Sequence, residues 1–222
     1  MRRLLLVLAA LVAVPASAQG VGLSVRAGTL GAGADLSVPL GSRVNVRATA
    51  NAFAFRHEGV LGEAETGVEG LDLDYDADLG LGSVGLLADW HPFGNTLRLT
   101  AGALYNLNGG GATVRAADAY YSADLDRTFS VERVGTLETR ITYDQPVAPY
   151  LGLGLGNLAH GRFGLTVEAG AAYVGPPSVE MTGTGLIGGT AHPANVATLE
   201  AGLDSFRFHP VVSVGLKTSF GR

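Results

Sequence analysis

Cysteine is absent from this 222-residue chain, and charged residues make up only 16% of it. The lack of cysteine excludes disulfides, thiolate metal sites and a cysteine nucleophile. Basic residues are few, 15 Lys and Arg against 20 Asp and Glu, which argues against nucleic acid as a partner because phosphate binding needs a basic surface. No stretch after residue 18 is long and apolar enough for a transmembrane helix. The 47% hydrophobic content therefore needs another explanation.

The first 18 residues have the order of regions found in a secretory signal peptide. Met1–Arg3 carries positive charge, Leu4–Val14 is apolar, and Ala16–Ala18 supplies small residues with an A-x-A ending. A membrane anchor is the alternative, but the apolar run is shorter than the roughly 20 residues that a spanning helix needs. We predict cleavage after Ala18 and one domain over residues 19–222. The leader carries two arginines and no acid, so its removal changes the net charge from −5 to −7.

Much of the remaining sequence alternates between apolar and polar or small residues. From Leu97 to Leu107 every second residue is apolar, and the intervening set is mainly polar or glycine. Strand side chains alternate between two faces, so this period of two predicts β-strands. The 33 glycines disfavour a helical fold, and within strands they mark crowded places such as a narrow barrel lumen. The predicted strands cover residues 30–38, 43–56, 71–90, 97–110, 139–156, 163–178 and 206–220.

Alternation alone also fits a soluble sandwich with one wet face, but three features favour a membrane barrel. The runs often exceed the roughly 5–6 residues of globular strands. Their polar faces carry charge and glycine, as the filled interior of a small barrel does. Connections alternate between short and long, as do periplasmic turns and extracellular loops. The short turns are 39–42, 91–96 and 157–162, and the long segments are 58–70, 112–138 and 179–205.

Seven strands are clear, whereas an antiparallel bacterial barrel needs an even number. Val21–Gly28 is the candidate for the eighth strand, although its change of phase with residues 30–38 fits either a bulge or a tight turn. A similar phase change at Gly82–Ser83 is interpreted as a bulge. The predicted fold is all-β: an up-and-down transmembrane antiparallel barrel, most simply of eight strands, with short periplasmic turns and long extracellular loops.

Two sets of residues are assigned to the two faces of this barrel. Aromatic side chains near the short turns and the C-terminus are predicted to form an interfacial girdle: Trp90, Phe93, Phe163 and Phe220. Charged side chains on the polar faces are predicted to point into the lumen: Arg26, Asp35, Arg47, Asp89, Arg98, Asp144, Glu168 and Lys217. Because isolated charges in a narrow interior are costly, they should pair and plug the barrel. The alternative is a selective pore lined by unpaired charges and water.

Acidic residues are concentrated between Glu58 and Asp78, a segment with eight acids and neither Lys nor Arg. Four of them lie on one face of a strand: Asp72, Asp74, Asp76 and Asp78. Clustered carboxylates suit hard cations, so these four are weak candidates for a divalent-cation site at the extracellular rim. The spacing is too wide for all four to hold one ion and no Ca²⁺ loop motif is present, which favours a solvated acidic rim.

The leader, the glycine-rich alternating strands and the last strand, Val211–Phe220, together resemble small outer-membrane barrels of the OmpA/OmpW-like type. Ala88–Phe93 and Ala148–Gly154 look like segments of uncharacterised proteobacterial barrel proteins, while the two residues after Phe220 depart from the usual C-terminal signal. The resemblance implies a place in the bacterial outer membrane. It also implies lipid and lipopolysaccharide as partners, and a last strand that is read by the barrel-insertion machinery. It carries no active site over to this chain.

No motif in the sequence points to a specific chemistry. Two G-x-G-x-x-G matches, at 80–85 and 183–188, lack the strand–turn–helix context of a dinucleotide site. The five histidines have no metal-ligand spacing. We therefore expect no cofactor and no enzyme activity. The leading hypothesis is a structural or surface-interaction barrel, and the alternative is a narrow OmpW-like channel for small solutes. Two further hypotheses are a lipid-modifying enzyme and adhesion through the 112–138 loop.

Overall fold

The structure is a computed structural model that describes residues 20–94 and 96–220. The predicted signal peptide, residues 1–18, lies outside the described residues. Within those ranges no helix is both long and apolar enough to cross a membrane. The strands are β1 (Val21–Gly28), β2 (Gly31–Pro39), β3 (Val44–Leu61), β4 (Leu73–Trp90), β5 (Leu97–Asn106), β6 (Gly109–Ala116), β7 (Tyr120–Ser122), β8 (Arg127–Phe129), β9 (Thr136–Tyr143), β10 (Val147–Leu155), β11 (Phe163–Tyr173), β12 (Pro177–Gly183) and β13 (Phe208–Phe220). The α-helices are α1 (Glu63–Thr66), α2 (Val131–Val134) and α3 (Pro193–Leu203), and 3₁₀ turns cover Ile187–Ala191 and Asp204–Arg207.

Eight of these strands close into an antiparallel barrel, which confirms the predicted fold class. They are β1 to β5, β10, β11 and β13. β1 pairs with β2 on one side and with β13 on the other, where Val21 lies opposite Phe220. β4 pairs with both β3 and β5, which completes the ring through β10, β11 and β13. Residues 21–38 form two strands joined by a tight turn at 29–30, and the following Gly31 has φ +87°, a conformation that glycine adopts without a Cβ clash.

The two ends of the barrel differ. At the short-turn end lie residues 40–43, 91–94, 96 and 156–162 together with the outer ends of β1 and β13. At the loop end lie the 29–30 turn and the connections 62–72, 117–135 and 184–207. The predicted long segments all fall at the loop end, but they are folded rather than irregular, since they contain β7, β8, β12 and the three helices.

Beyond the closed barrel, five strands continue on one side as an open sheet, which we call the loop-end sheet. It consists of residues 53–61 of β3, residues 73–80 of β4, and β6, β9 and β12, in the order β12-β9-β6-β4-β3. β6 continues β5 after a break at 107–108, and β9 runs into β10 after a break at 144–146. β2 and β13 do not extend into this sheet. The pairing of β2 with β3 stops at Ala32–Ala52, and the pairing of β13 with β11 stops at Tyr173–Phe208, both at the rim of the barrel.

The predicted bulge at Gly82–Ser83 is wrong. β3 and β4 keep one register from Val44–Trp90 to Leu61–Leu73, with no extra residue in either strand. β4 also keeps one register with β5 and then β6. The apolar residues therefore change face because the surroundings change. In the barrel Leu86 points outward, whereas in the loop-end sheet Leu73 is buried on the inner face and Asp76 points outward.

Candidate functional site

The outer surface of the barrel is an apolar belt bounded by aromatic side chains at both ends. Leu151 and Leu165 are 69% and 68% exposed although they lie in the middle of strands. The four predicted girdle aromatics, Trp90, Phe93, Phe163 and Phe220, are all exposed at the short-turn end. A second group that the sequence analysis missed lies at the other end: Tyr105, Tyr173 and Phe208, the last two with ring centroids 5.1 Å apart. Phe163 and Tyr173 are ten residues apart in one strand, which at roughly 3.3 Å per residue and a tilt near 40° spans about 25 Å, the height of a membrane belt.

The lumen contains a charge network of three arginines and three carboxylates from six different strands. All six side chains are buried: Arg26, Arg47, Arg98, Asp35, Asp89 and Glu168. Arg47 lies at the centre, with its guanidinium 2.8 Å from Glu168 Oε2, 3.1 Å from Asp89 Oδ2 and 3.7 Å from Asp35 Oδ2. The network carries no net charge, so each buried ion has a counter-ion within reach.

Arg98 and Arg26 flank Arg47 and bind two of the carboxylates that Arg47 contacts, Glu168 and Asp35. Arg98 donates to Glu168 Oε2 at 2.5 Å and to the backbone oxygen of Gly156 at 2.8 Å. Arg26 lies 3.4 Å from Asp35 and donates to Asn51 Oδ1 at 2.7 Å. Removing one partner of such a pair leaves an uncompensated charge, which typically costs about 3–5 kcal/mol. The network thus fixes the relative positions of the strands that supply it.

Tyr150 belongs to the same cluster although the sequence analysis did not assign it. Its hydroxyl donates to Glu168 Oε1 at 2.5 Å. The signal was present in the alternation, because Tyr150 shares its face with Gly152 and Gly154. These glycines provide the space that the large side chains need: a Cβ on Gly154 would lie 2.5 Å from Arg98 Nε, and one on Gly152 would lie 2.5 Å from the Tyr150 hydroxyl.

An apolar layer covers the charge network on the side of the loop end. It is formed by buried side chains from several strands and the 29–30 turn: Leu30, Leu87, Leu104, Ala148, Ala172, Val174 and Val211. Tyr143 packs against this layer from above and also lines a cavity of about 270 Å³ under the loop-end sheet. These buried apolar side chains lie between the charge network and the loop end.

On the opposite side of the charge network, the 156–162 turn folds into the short-turn end of the barrel. Leu158 and Ala159 are buried, and the Lys217 ammonium donates to the backbone oxygens of Asn157 and His160. Asn45 Nδ2 donates to Asn157 Oδ1 at 3.1 Å. Gly22 is required beside the turn, because a Cβ there would overlap the Leu158 backbone oxygen.

Of the eight charged residues assigned to the lumen, the structure brings together six in the charge network and places Lys217 near them at the 156–162 turn. Asp144 does not join them. It is exposed in the break between β9 and β10, where the change of strand interrupts the alternation on which the assignment rested.

The four aspartates considered for a cation do not form one site. Asp74, Asp76 and Asp78 lie on the outer face of β4 in the loop-end sheet, whereas Asp72 precedes the strand. Asp76 accepts from Arg56 at 2.9 Å, and Asp74 lies 3.8 Å from Arg115. Within residues 20–94 and 96–220, no group of three His, Asp or Glu side chains is arranged to hold a metal ion.

Comparisons with known proteins place this geometry among solved barrels. No family model and no curated protein matches the sequence. The fold is similar to the crystal structure of Acinetobacter baumannii CarO2, with a TM-score of 0.58 and 23% identity over 90% of this chain and 98% of that one. It is also similar to A. baumannii CarO, with a TM-score of 0.55 and 22% identity over 90% and 97% of the two chains. At this identity the likeness shows the fold alone, a closed eight-stranded barrel of the outer-membrane kind.

A third similar structure is Ail, the attachment invasion locus protein of Yersinia pestis, solved in complex with the heparin analogue sucrose octasulfate. Its TM-score is 0.35 and its identity 9%, over 90% of this chain and 95% of that one, which is too distant to support any argument about ligands.

Proposed function

We propose that this protein is a non-conducting outer-membrane barrel, whose closed lumen serves as a rigid anchor for the loop-end sheet outside the membrane. The observation that carries the proposal is the neutral charge network, in which Arg47 contacts three carboxylates inside the barrel. An eight-stranded barrel is just wide enough for side chains to fill it. A pore would need a continuous file of water past these residues.

Two further barriers support the same proposal. The apolar layer lies in series with the charge network on one side, and the 156–162 turn lies in series with it on the other. An ion crossing the barrel would have to break buried ion pairs, leave water at the apolar layer and displace the turn. The buried carboxylates are engaged by arginines, which also favours a structural role for them over an enzymatic one.

The proposed location rests on the outer surface. The apolar belt and its two aromatic girdles match a bilayer in height, and we propose that lipid contacts the belt while the last strand, β13, directs insertion. The signal peptide of residues 1–18 is part of this proposal. We propose no divalent cation at the acidic face, because Asp74, Asp76 and Asp78 are spaced along one strand rather than gathered around one point.

Planar-bilayer recording tests the lumen and cell fractionation tests the location. The protein should appear in the outer-membrane fraction with heat-modifiable gel mobility, and the folded material should give no single-channel currents in bilayers where a known porin does. Reproducible currents from the folded protein would contradict the closed lumen. Recovery of a detergent-free soluble protein from the periplasm would contradict the location.

A further inference from the structure

The loop-end sheet has two edges, and they differ in whether their backbone N–H and C=O groups are covered. One edge is β12 and the other is the upper part of β3, residues 53–61. An unpaired edge offers a row of N–H and C=O groups to any extended chain, and proteins usually block such rows with proline, lysine, bulges or a covering element. The two edges can therefore be compared by how their backbone groups are used.

The β12 edge is blocked. Pro176 and Pro177 have no N–H at its start, and the N–H of Val179 donates to Glu200 Oε1 of α3 at 2.9 Å. Helix α3 packs along this strand and covers it. No further strand can be added here without displacing the helix.

The β3 edge is bare. Its pairing with β2 ends at Ala52, while its pairing with β4 continues to Leu61. The oxygen of Val44 accepts from Leu40 on the β2 side and the oxygen of Arg43 accepts from His91 on the β4 side, so even-numbered residues face the β2 side. By this alternation the backbone groups of residues 54, 56, 58 and 60 face away from the sheet, and the described residues include no strand that pairs with them.

The side chains beside this edge define what could bind there. On the inner face Phe53 and Phe55 are 44% and 54% exposed, and Phe55 stacks on His57 with ring centroids 6.1 Å apart. On the outer face of the loop-end sheet, acids outnumber arginines. The acids are Glu58, Asp74, Asp76, Asp78, Glu138 and Glu180, and the arginines are Arg56, Arg115 and Arg140.

We propose that the β3 edge from Ala54 to Val60 docks an extended segment of another polypeptide, which adds a sixth strand to the loop-end sheet. The segment alternates apolar residues, which lie beside Phe53 and Phe55, with basic residues, which lie beside the acidic outer face. Main-chain hydrogen bonds supply affinity in this mode of binding, and the alternating side chains supply specificity. The inference does not depend on whether the lumen conducts.

A second copy of this chain is a poorer occupant. Two barrels inserted in the same direction in one membrane run their β3 strands in parallel. A two-fold axis along the membrane normal would then turn the second sheet over, so that its charged outer face with Arg56 and Glu58 continues the inner face that carries Phe53 and Phe55 of the first copy. This seam would place charged side chains beside the aromatic ones, which favours a different partner whose basic residues lie on the acidic side and whose apolar residues lie on the aromatic side.

Peptide binding to the full-length protein in nanodiscs of neutral lipid tests the proposal. The probe is a fluorescent nine-residue peptide that alternates Lys and Val, and its counterpart has Glu in place of Lys. The double variant Ala54→Pro/Val60→Pro removes two N–H groups from the bare edge without touching the bonds to β4. Met181→Pro places a proline on the blocked β12 edge and serves as the matched control.

We expect the Lys/Val peptide to bind at least about tenfold more weakly to the double variant than to the wild type, and the Met181→Pro control to bind like the wild type. The Glu/Val peptide should bind at least about tenfold more weakly than the Lys/Val peptide, or about 1.4 kcal/mol. Equal affinity of the wild type and the double variant would overturn the proposal.

Hydrogen exchange on the wild-type protein provides a measurement that needs no variant. Bound peptide should slow exchange at the amides of residues 54, 56, 58 and 60 by at least tenfold, while those of β12 stay unchanged. Absence of protection with the peptide bound would overturn the edge as the site. Concentration-dependent protection without peptide would show that a second copy, rather than a different partner, occupies the edge.

Discussion

The barrel and the loop-end sheet are built from the same strands but have opposite polarity. In the barrel half of β4, Leu86 and Trp90 face outward and Asp89 faces the buried charge network. In the other half, Asp76 faces outward and Leu73 is buried against Val134 of α2. The register does not shift between the two halves. One strand can therefore place apolar residues outward in the barrel and polar residues outward in the loop-end sheet, according to what surrounds its outer face.

Breaking the charge network should produce the largest effect on this comparison. Glu168→Ala leaves Arg47 and Arg98 buried without their shared carboxylate, so we expect a loss of about 3–5 kcal/mol in unfolding free energy. Urea titration in lipid vesicles, followed by tryptophan fluorescence, measures it. Glu58→Ala on the exposed face of the loop-end sheet is the control and should cost no more than about 1 kcal/mol. Similar losses for both variants would refute the distinction.

An arginine substituted on the outer face of each region tests whether that face contacts lipid or water. Leu153 lies opposite Ala169 near the middle of β11, and a Leu153→Arg change at that depth should cost about 2–4 kcal/mol. Thr113→Arg, on the outer face of the loop-end sheet, should change stability by less than about 0.5 kcal/mol. The same titrations in vesicles measure both. A neutral Leu153→Arg would place that face in water.

A substitution that displaces the 156–162 turn tests whether this turn is packed tightly into the short-turn end of the barrel. A Cβ on Gly22 would overlap the Leu158 oxygen, so Gly22→Ala should cost about 1–3 kcal/mol and expose the turn to protease. A Cβ on Gly41 would have no heavy atom within 4 Å, so Gly41→Ala is the matched control with little expected effect. An unchanged cleavage rate at 156–162 would argue against the buried turn.

The smallest effect should come from acid at the tip of the loop-end sheet. The hydrogen bond from Arg56, aided by its charge, lowers the pKa of the Asp76 carboxyl. Because the pKa is lowered in the folded state, the pair stabilises this part of the sheet above the unfolded pKa, and the contribution disappears as the pH falls from the unfolded pKa of an aspartate, about 4, through the lower folded pKa. Hydrogen exchange of residues 53–61, corrected for intrinsic pH dependence, should show a modest loosening in that range. Arg56→Gln should abolish the difference.

The alternation in the sequence predicted the strands, the outward belt and most of the lumen charges, because period two specifies which residues share a face. It could not say whether that face meets lipid, water or other side chains. The reversal at Gly82–Ser83 therefore looked like a bulge, and Asp144 was assigned inward across a break between strands. The packing of Phe129 and Val134 into the loop-end sheet is also non-local, and short segments such as β7 and α2 give too few residues for a periodic signal.

The charge network has a consequence for how the molecule assembles. Its arginines and carboxylates come from β1, β2, β3, β4, β5 and β11, so no hairpin contains a complete set of partners. A sheet of β1 to β5 alone would hold three arginines against two carboxylates, because Glu168 belongs to β11, and only the pairing of β1 with β13 closes the ring around them. We therefore expect insertion to be a single cooperative event, in which the pairing of the last strand, β13, determines whether the inserted barrel is stable.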